Sequence, residues 1–274
     1  MKKRLIMVLA IVFIITNVIV LLPCAKENIN EDENNTSEES KVVLKNQGTD
    51  VSVVQDILHR RSENDGKKIV FLTFDDGPSN KITPKILDIL KENNIKATFF
   101  VCGSNIKDQS DSKILIKRAL EEGHSIGNHT CSHSYSKLYP NENTNVELFL
   151  KEVEETNNLI KEAAGSDFST RLVRMPNGEM TRRHKKDKNI DRLIEKLKEK
   201  DMYSVDWNAL TGDEEGNRNK NTSELLRYLK KTSKDKEKLV ILMHDSRQKK
   251  NTLEALPEVI AYLKSEGFEF SSMK

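Results

Sequence analysis

Two adjacent carboxylates, Asp75 and Asp76, close the apolar run from Ile69 to Phe74, and the chain turns at once through Gly77 and Pro78. Anions set side by side at the end of a strand call for a cation. Downstream, His129 and His133 flank Thr130-Cys131-Ser132, and imidazoles four residues apart share one face of a helical turn. Asp76 with His129 and His133 makes a two-histidine, one-carboxylate set, which fills three positions on a divalent ion and leaves room for water. An open position suits hydrolysis better than stapling. Each part also has an ordinary reading: Asp-Asp-Gly-Pro is a good turn, and histidine pairs at this spacing are common on exposed helices. What favours chemistry is that both motifs follow strand-like runs. Cys131 lies two residues from each histidine, off their shared face, and is left out of the set.

Three further segments continue the pattern: Arg174-Met175-Pro176-Asn177-Gly178, Val205-Asp206-Trp207-Asn208 and Leu242-Met243-His244-Asp245. With the first two, they resemble the polysaccharide deacetylase family, carbohydrate esterases built on the NodB homology domain, over about residues 65 to 270. The resemblance implies Asp75 as general base, with Asp76, His129 and His133 holding a divalent metal, Zn²⁺ or Co²⁺. It implies Arg174 as the guanidinium that pairs with the base and orients it. His244 would be the general acid toward the leaving amine, with Asp206 keeping it protonated and oriented. A backbone N–H at Asn177 would meet the oxyanion, although the family often carries an aromatic side chain there. Leu242 and Trp207 would wall the acetyl methyl. The plain alternatives are a surface ion pair for Arg174, a structural strand-end histidine for His244 and simple core for Trp207.

The implied activity is removal of N-acetyl groups from amino sugars of a polysaccharide, with peptidoglycan N-acetylglucosamine as the expected substrate. Chitin-like oligomers, a muramic lactam precursor or an O-acetylated glycan are alternatives. A catalytically silent wall-binding module of the same fold is the alternative from another class.

To position these residues the chain offers strand-like runs at Ile69 to Phe74, Ala97 to Val101, Ser125 to His129, Arg171 to Met175, Tyr203 to Trp207 and Leu239 to Met243. Amphipathic helical patterns alternate with them, an order that predicts an α/β fold with a parallel sheet and crossover helices. Ile82, Ile86, Leu87 and Leu90 form one helical stripe. Val146, Phe149, Leu150 and Val153 form another, opened by the box-like Thr144-Asn145-Val146-Glu147. Every motif falls at or just past the carboxyl end of a strand, where parallel α/β barrels place their chemistry. The resemblance implies a distorted (β/α) barrel of seven or so strands.

The chain has 274 residues, a net charge of +2 and three cysteines. Its lysines are spread widely, which gives no case for nucleic acid, and the run Arg182-Arg183-His184-Lys185-Lys186 reads as a solvated face that could also dwell on an anionic wall. Cys102 and Cys131 are expected as free thiols. Lys2-Lys3-Arg4 precedes the apolar stretch from Leu5 to Leu22, so residues 1–24 read as a signal peptide or a retained hydrophobic anchor helix, with the rest extracytoplasmic and facing the wall. Leu21-Leu22-Pro23-Cys24 resembles a lipoprotein box spoiled by its proline, which keeps secretion and lipidation open beside the favoured anchor. Residues 25–64, rich at first in Glu, Asn, Ser and Thr, read as a flexible acidic linker, and 65–274 as the catalytic domain. The expected partners are a polysaccharide and, through the leader, a membrane, for a protein that is otherwise a monomer.

Overall fold

In the computed structural model, which describes residues 48–62, 65–217 and 219–274, strands and helices alternate. In chain order they are α1 (Val51–Leu58), β1 (Ile69–Gly77), α2 (Thr83–Glu92), β2 (Thr98–Val101), α3 (Gly103–Asp108), α4 (Ser112–Glu121), β3 (Ser125–Asn128), α5 (Tyr135–Leu138), α6 (Val146–Ala164), β4 (Leu172–Val173), α7 (Glu179–His184), α8 (Ile190–Lys198), β5 (Tyr203–Ser204), β6 (Ala209–Leu210), α9 (Thr222–Ser233), β7 (Lys238–His244), α10 (Lys250–Ser265) and β8 (Glu269–Phe270). All six expected strands form. The two at Arg171 to Met175 and Tyr203 to Trp207 shrink to two residues each, and β6 and β8 are additional.

Eight strands make one parallel sheet in the order β5-β4-β3-β2-β1-β7-β6, with β8 beside the start of β1. No ladder joins β5 to β6 among the described residues. The five steps from Ser204 to Ala209 carry the chain from one edge of the sheet to the other, a reach of at most about 18 Å. The sheet must therefore curl until its edges approach, as a barrel left open at one seam.

Period two sorts β1. Val70, Leu72 and Phe74 pack outward with Ile86, Leu87, Leu229 and Leu256 of the surrounding helices. Phe71 faces the other way and joins Phe100, Leu172, Val205 and Val240. The same alternation places Thr73 and Asp75 on the Phe71 side, toward the inside of the curl.

The linker expected over 25–64 is shorter than its composition suggests. Asp50 caps α1, its Oδ1 accepting the Ser52 N–H at 2.9 Å. Val51, Val54 and Ile57 then recur at helical spacing and bury against the Phe71 and Phe100 cluster. A parallel bridge from Thr49 to Met273 fastens this end, so at least residues 48–58 belong to the domain. The hydrophobic leader helix and linker residues 25–47, 63 and 64 lie outside the described residues, within which no helix is long and apolar enough to cross a membrane. The two amphipathic stripes hold. α2 buries Ile86, Leu87 and Leu90, and α6 buries Val146, Phe149 and Val153. Asn145 alone caps α6, through the Leu148 N–H, because the Thr144 hydroxyl is spent on Asp187 at 2.6 Å.

Candidate active site

Strict alternation would send Asp75 and Asp76 to opposite faces of the sheet. Instead the register of β1 against β2 shifts between Asp75 and Gly77, and Asp76 takes a left-handed φ of 67°, a conformation Asp tolerates better than most residues. Both carboxylates therefore line one cleft of about 580 Å³. Gly77 follows where a Cβ would lie 2.3 Å from Asp245 Oδ2, so only glycine lets the strand end here.

Asp75 is 2% exposed and accepts the Arg174 Nη1 at 2.8 Å. Arg174, wholly buried, also donates to the Val205 and Asp206 carbonyls at 2.8 and 3.1 Å and to Thr73 Oγ1 at 2.7 Å. Its guanidinium lies 4.1 Å from the Phe100 ring centroid. A charge held on so many sides cannot swing, and it fixes the carboxylate beside it.

The imidazoles are brought together by a loop and not by the expected helical turn. Residues 129–134 follow β3 without helical structure, and left-handed Thr130 and His133 fold the chain back. His129 Nδ1 bonds the Arg174 carbonyl at 2.7 Å, which turns its Nε2 to within 3.4 Å of Asp76 Oδ1. His133 Nε2 reaches the same oxygen at 3.3 Å. Ligand atoms of Asp76, His129 and His133 all lie within 4.8 Å of one another. The donor set fits a divalent ion: two imidazole nitrogens and one carboxylate converge, and His129 already has its second nitrogen committed, as a ligating tautomer requires. Burial opposes ionisation of Asp76, yet the hydrogen bond and charge of His129, with His133, hold it well below the usual carboxylate range. Glu152 of α6 shapes the loop, accepting the Cys131 and Ser132 N–H groups at 3.1 and 2.8 Å and the Ser132 hydroxyl at 2.7 Å. Cys102 and Cys131 are free thiols, as expected, and Cys131 stands apart from the ligand set.

The expected partner of His244 is wrong in one residue. Asp206 does not reach His244; its two oxygens accept the Glu179 and Met180 N–H groups at 2.8 and 2.7 Å, anchoring the turn that carries Asn177 into α7. The carboxylate at His244 is Asp213. Its Oδ1 lies 3.0 Å from His244 Nδ1, while its Oδ2 accepts the His244 N–H at 2.9 Å and the Thr252 hydroxyl at 2.7 Å. The reason is strand order. β6 pairs with β7 through Ile241 and Leu242, so the loop after β6, and not the segment before it, lies beside the end of β7. Burial alone would push the His244 imidazole down, but the hydrogen bond and charge of Asp213, with Asp75 and Asp76 adding, lift it to about 9.

Asn177, Trp207 and Leu242 all line the cleft, with Asn177 in a left-handed backbone at φ 65°. Asp75, Asp76, His129, His133 and His244 share its floor and sides. Sequence reasoning missed Asp213, Glu152 and the wall built by Tyr135, Arg182 and Lys185. Arg182, expected on a solvated face, has no exposure at all.

Residues 62–191 match the family model described as polysaccharide deacetylase. A peptidoglycan-N-acetylglucosamine deacetylase of Bacillus cereus is 32% identical over 209 residues, spanning 75% of this chain and 69% of the relative. The chain belongs to the polysaccharide deacetylase family. Among solved members, a Streptococcus mutans CE4 esterase superposes with a TM-score of 0.74 at 34% identity, covering 83% of this chain and 92% of that one. The catalytic domain of a peptidoglycan N-acetylglucosamine deacetylase from Eubacterium rectale gives 0.66 at 26% identity, covering 78% and 91%. The curled parallel sheet is thus the family's fold, and the family makes this chain a deacetylase-type hydrolase.

Proposed function

We propose that this protein is a metal-dependent N-deacetylase that hydrolyses acetamido groups of a cell-wall polysaccharide, with peptidoglycan N-acetylglucosamine as its substrate. The observation that carries the reading is the placement of Asp75, clamped by Arg174, beside the Asp76, His129 and His133 cluster and in the same cleft as His244. A divalent ion held by Asp76, His129 and His133 would polarise the acetyl carbonyl and make water acidic enough to ionise near neutrality. Asp75 accepts the proton of the attacking water while Arg174 keeps its oxygens aimed. The Asn177 N–H is the donor for the developing oxyanion. Leu242 and Trp207 enclose the methyl group. His244 gives its proton to the departing amine, and Asp213 holds the opposite ring nitrogen. Asp206 acts at one remove, by fixing the Asn177 turn.

Residues 1–24 would export the domain or anchor it at the membrane, and the shortened linker would let a monomeric enzyme reach the wall. The relatives that share the reading are themselves peptidoglycan deacetylases by name. Incubating the purified protein with acetylated glycan oligomers and Zn²⁺ or Co²⁺ tests the activity. Each acetyl group removed lowers the mass by about 42 Da. Unaltered masses over peptidoglycan, chitin-type and O-acetylated glycans would leave a silent binding module.

Two consequences follow from the surrounding residues. Asp213→Asn removes the group that lifts His244, so His244 loses its proton at lower pH. Since the protonated ring is the active form, the alkaline limb of the kcat profile moves to lower pH than in the parent. A bound cation offsets the contribution of Asp75 and Asp76 in parent and variant alike, so the displacement reports Asp213. Glu152→Ala leaves the Cys131 and Ser132 N–H groups without their acceptor. Competition with a chelator should then read a metal affinity about 10- to 100-fold weaker.

A further inference from the structure

The basic run that begins at Arg182 forms part of the cleft wall. α7 and the residue after it bring Thr181, Arg182 and Lys185 to the cleft, with Tyr135 of α5 alongside. The Arg182 guanidinium lies 4.3 Å from the Tyr139 ring centroid and 4.9 Å from that of Tyr135, and its Nη2 donates to the Tyr135 hydroxyl at 2.6 Å. One carboxylate meets both cations: Glu142 Oε2, 3.3 Å from Arg182 and 2.9 Å from Lys185. Hydrogen bonds from Lys185 and Tyr135 hold Glu142 down to about 2, so it is ionised at any working pH. Among these three groups two positive charges meet one negative. The neighbouring Asp187 keeps its charge but is buried, its oxygens accepting the Thr144 N–H and hydroxyl and the Asn189 N–H, and it does not line the cleft. Lys185 Nζ gives two protons, to Tyr135 Oη at 2.8 Å and Glu142 at 2.9 Å, out of the three an ammonium carries. Its side chain is 43% exposed, within reach of a ligand. Glu214 and Glu215 also line the cleft, and Glu214 already pairs with Lys249, so the Lys185 wall is where an anion is favoured.

We propose that Tyr135, Thr181 and Lys185, with the buried Arg182 guanidinium behind Tyr135, form an anion subsite that receives a carboxylate carried next to the reacting acetamido sugar, making the substrate class an acidic N-acetylated glycan. The inference rests on the deacetylase reading and specifies which glycan suits it. The carboxylate can come from a lactyl ether on the neighbouring sugar or from a peptide attached there; both present the same group to Lys185.

The test compares three substrates: neutral chitin-type oligomers, peptide-free glycan with lactyl carboxylates, and peptide-bearing glycan. For the acidic glycans, Lys185→Gln should raise KM about fivefold, the scale of an exposed charge pair. Glu142→Gln, which removes the compensating anion, should lower KM. Added salt should weaken the parent's preference for acidic over neutral glycan. Whichever acidic glycan shows the larger response identifies the source of the carboxylate. An equal ratio of acidic to neutral KM in the parent and both variants would overturn the subsite. Binding of the same glycans to the Asp75→Asn protein, by calorimetry, separates the two readings. Preference for the acidic glycan without turnover by the parent would remove the deacetylase and keep the subsite. Equal affinity for neutral and acidic glycans would remove the subsite alone.

Discussion

Asp75→Asn is expected to cut acetate release by about a thousandfold while the protein folds and takes up as much metal as the parent. Asparagine keeps an oxygen for Arg174 but cannot accept a proton from water, so the change removes the base and little else. Stability is the competing explanation for lost activity. Stripping a partner from a buried ion pair costs about 3–5 kcal/mol when the remaining charge is left bare. Arg174 would not be bare, because the Val205 and Asp206 carbonyls, the Thr73 hydroxyl and the Phe100 face still surround it. Thermal melting and elemental analysis on the same preparation therefore separate the outcomes. A folded, metal-replete and inactive variant supports the base assignment, and normal turnover removes it. Loss of metal together with activity would instead make Asp75 a ligand.

What the sequence revealed and what it hid divide along a physical line. The paired carboxylates at Asp75 stood out because they close an apolar run, whereas Arg174 and His244 were legible through the family resemblance of their segments; parallel strands deliver such residues to one end of a sheet. Asp213 was not, because its contact with His244 depends on β6 lying beside β7. β6 is two residues long, too short to show any period, and strand order is a long-range property. Asp206, adjacent to Trp207 in a recognisable segment, drew the assignment that belongs seven residues later. The helix α1 was legible in principle: Asp50 is a good cap, and Val51, Val54 and Ile57 have helical spacing. It was hidden by the polar composition just before it, which made the whole stretch read as linker. Arg182 was hidden by its neighbours in another way. Four further basic residues suggested a solvated face, yet on α7 its side chain falls against Tyr135 and Tyr139. The His129 and His133 pair was found for an incomplete reason. Spacing suggested a helix, whereas two left-handed residues and the grip of Glu152 do the same work in a loop.

Replacing either imidazole should remove metal and activity together, and the two variants should differ in everything else. His129 is 2% exposed and its Nδ1 is bonded to the Arg174 carbonyl. His129→Ala therefore opens a buried cavity and strands that carbonyl, so a lowered melting temperature should accompany metal loss. The His133 side chain is 37% exposed, and water can fill the space it leaves. His133→Ala should melt close to the metal-free parent and provides the cleaner reading. The comparison must be with metal-free parent, since a bound ion itself stabilises the fold. Proton linkage adds a second check on the same cluster. Burial works against a proton on His129, but Asp75 and Asp76 overcome it and raise the group above its ordinary value. Ligation needs the neutral ring, so metal competes with that proton and affinity should climb as pH rises toward neutrality. In His129→Ala the competing proton is gone, and residual binding should depend less on pH in that range. Full metal stoichiometry in both alanine variants would dissolve the ligand set, and with it the reason for placing Asp75 beside an activated water.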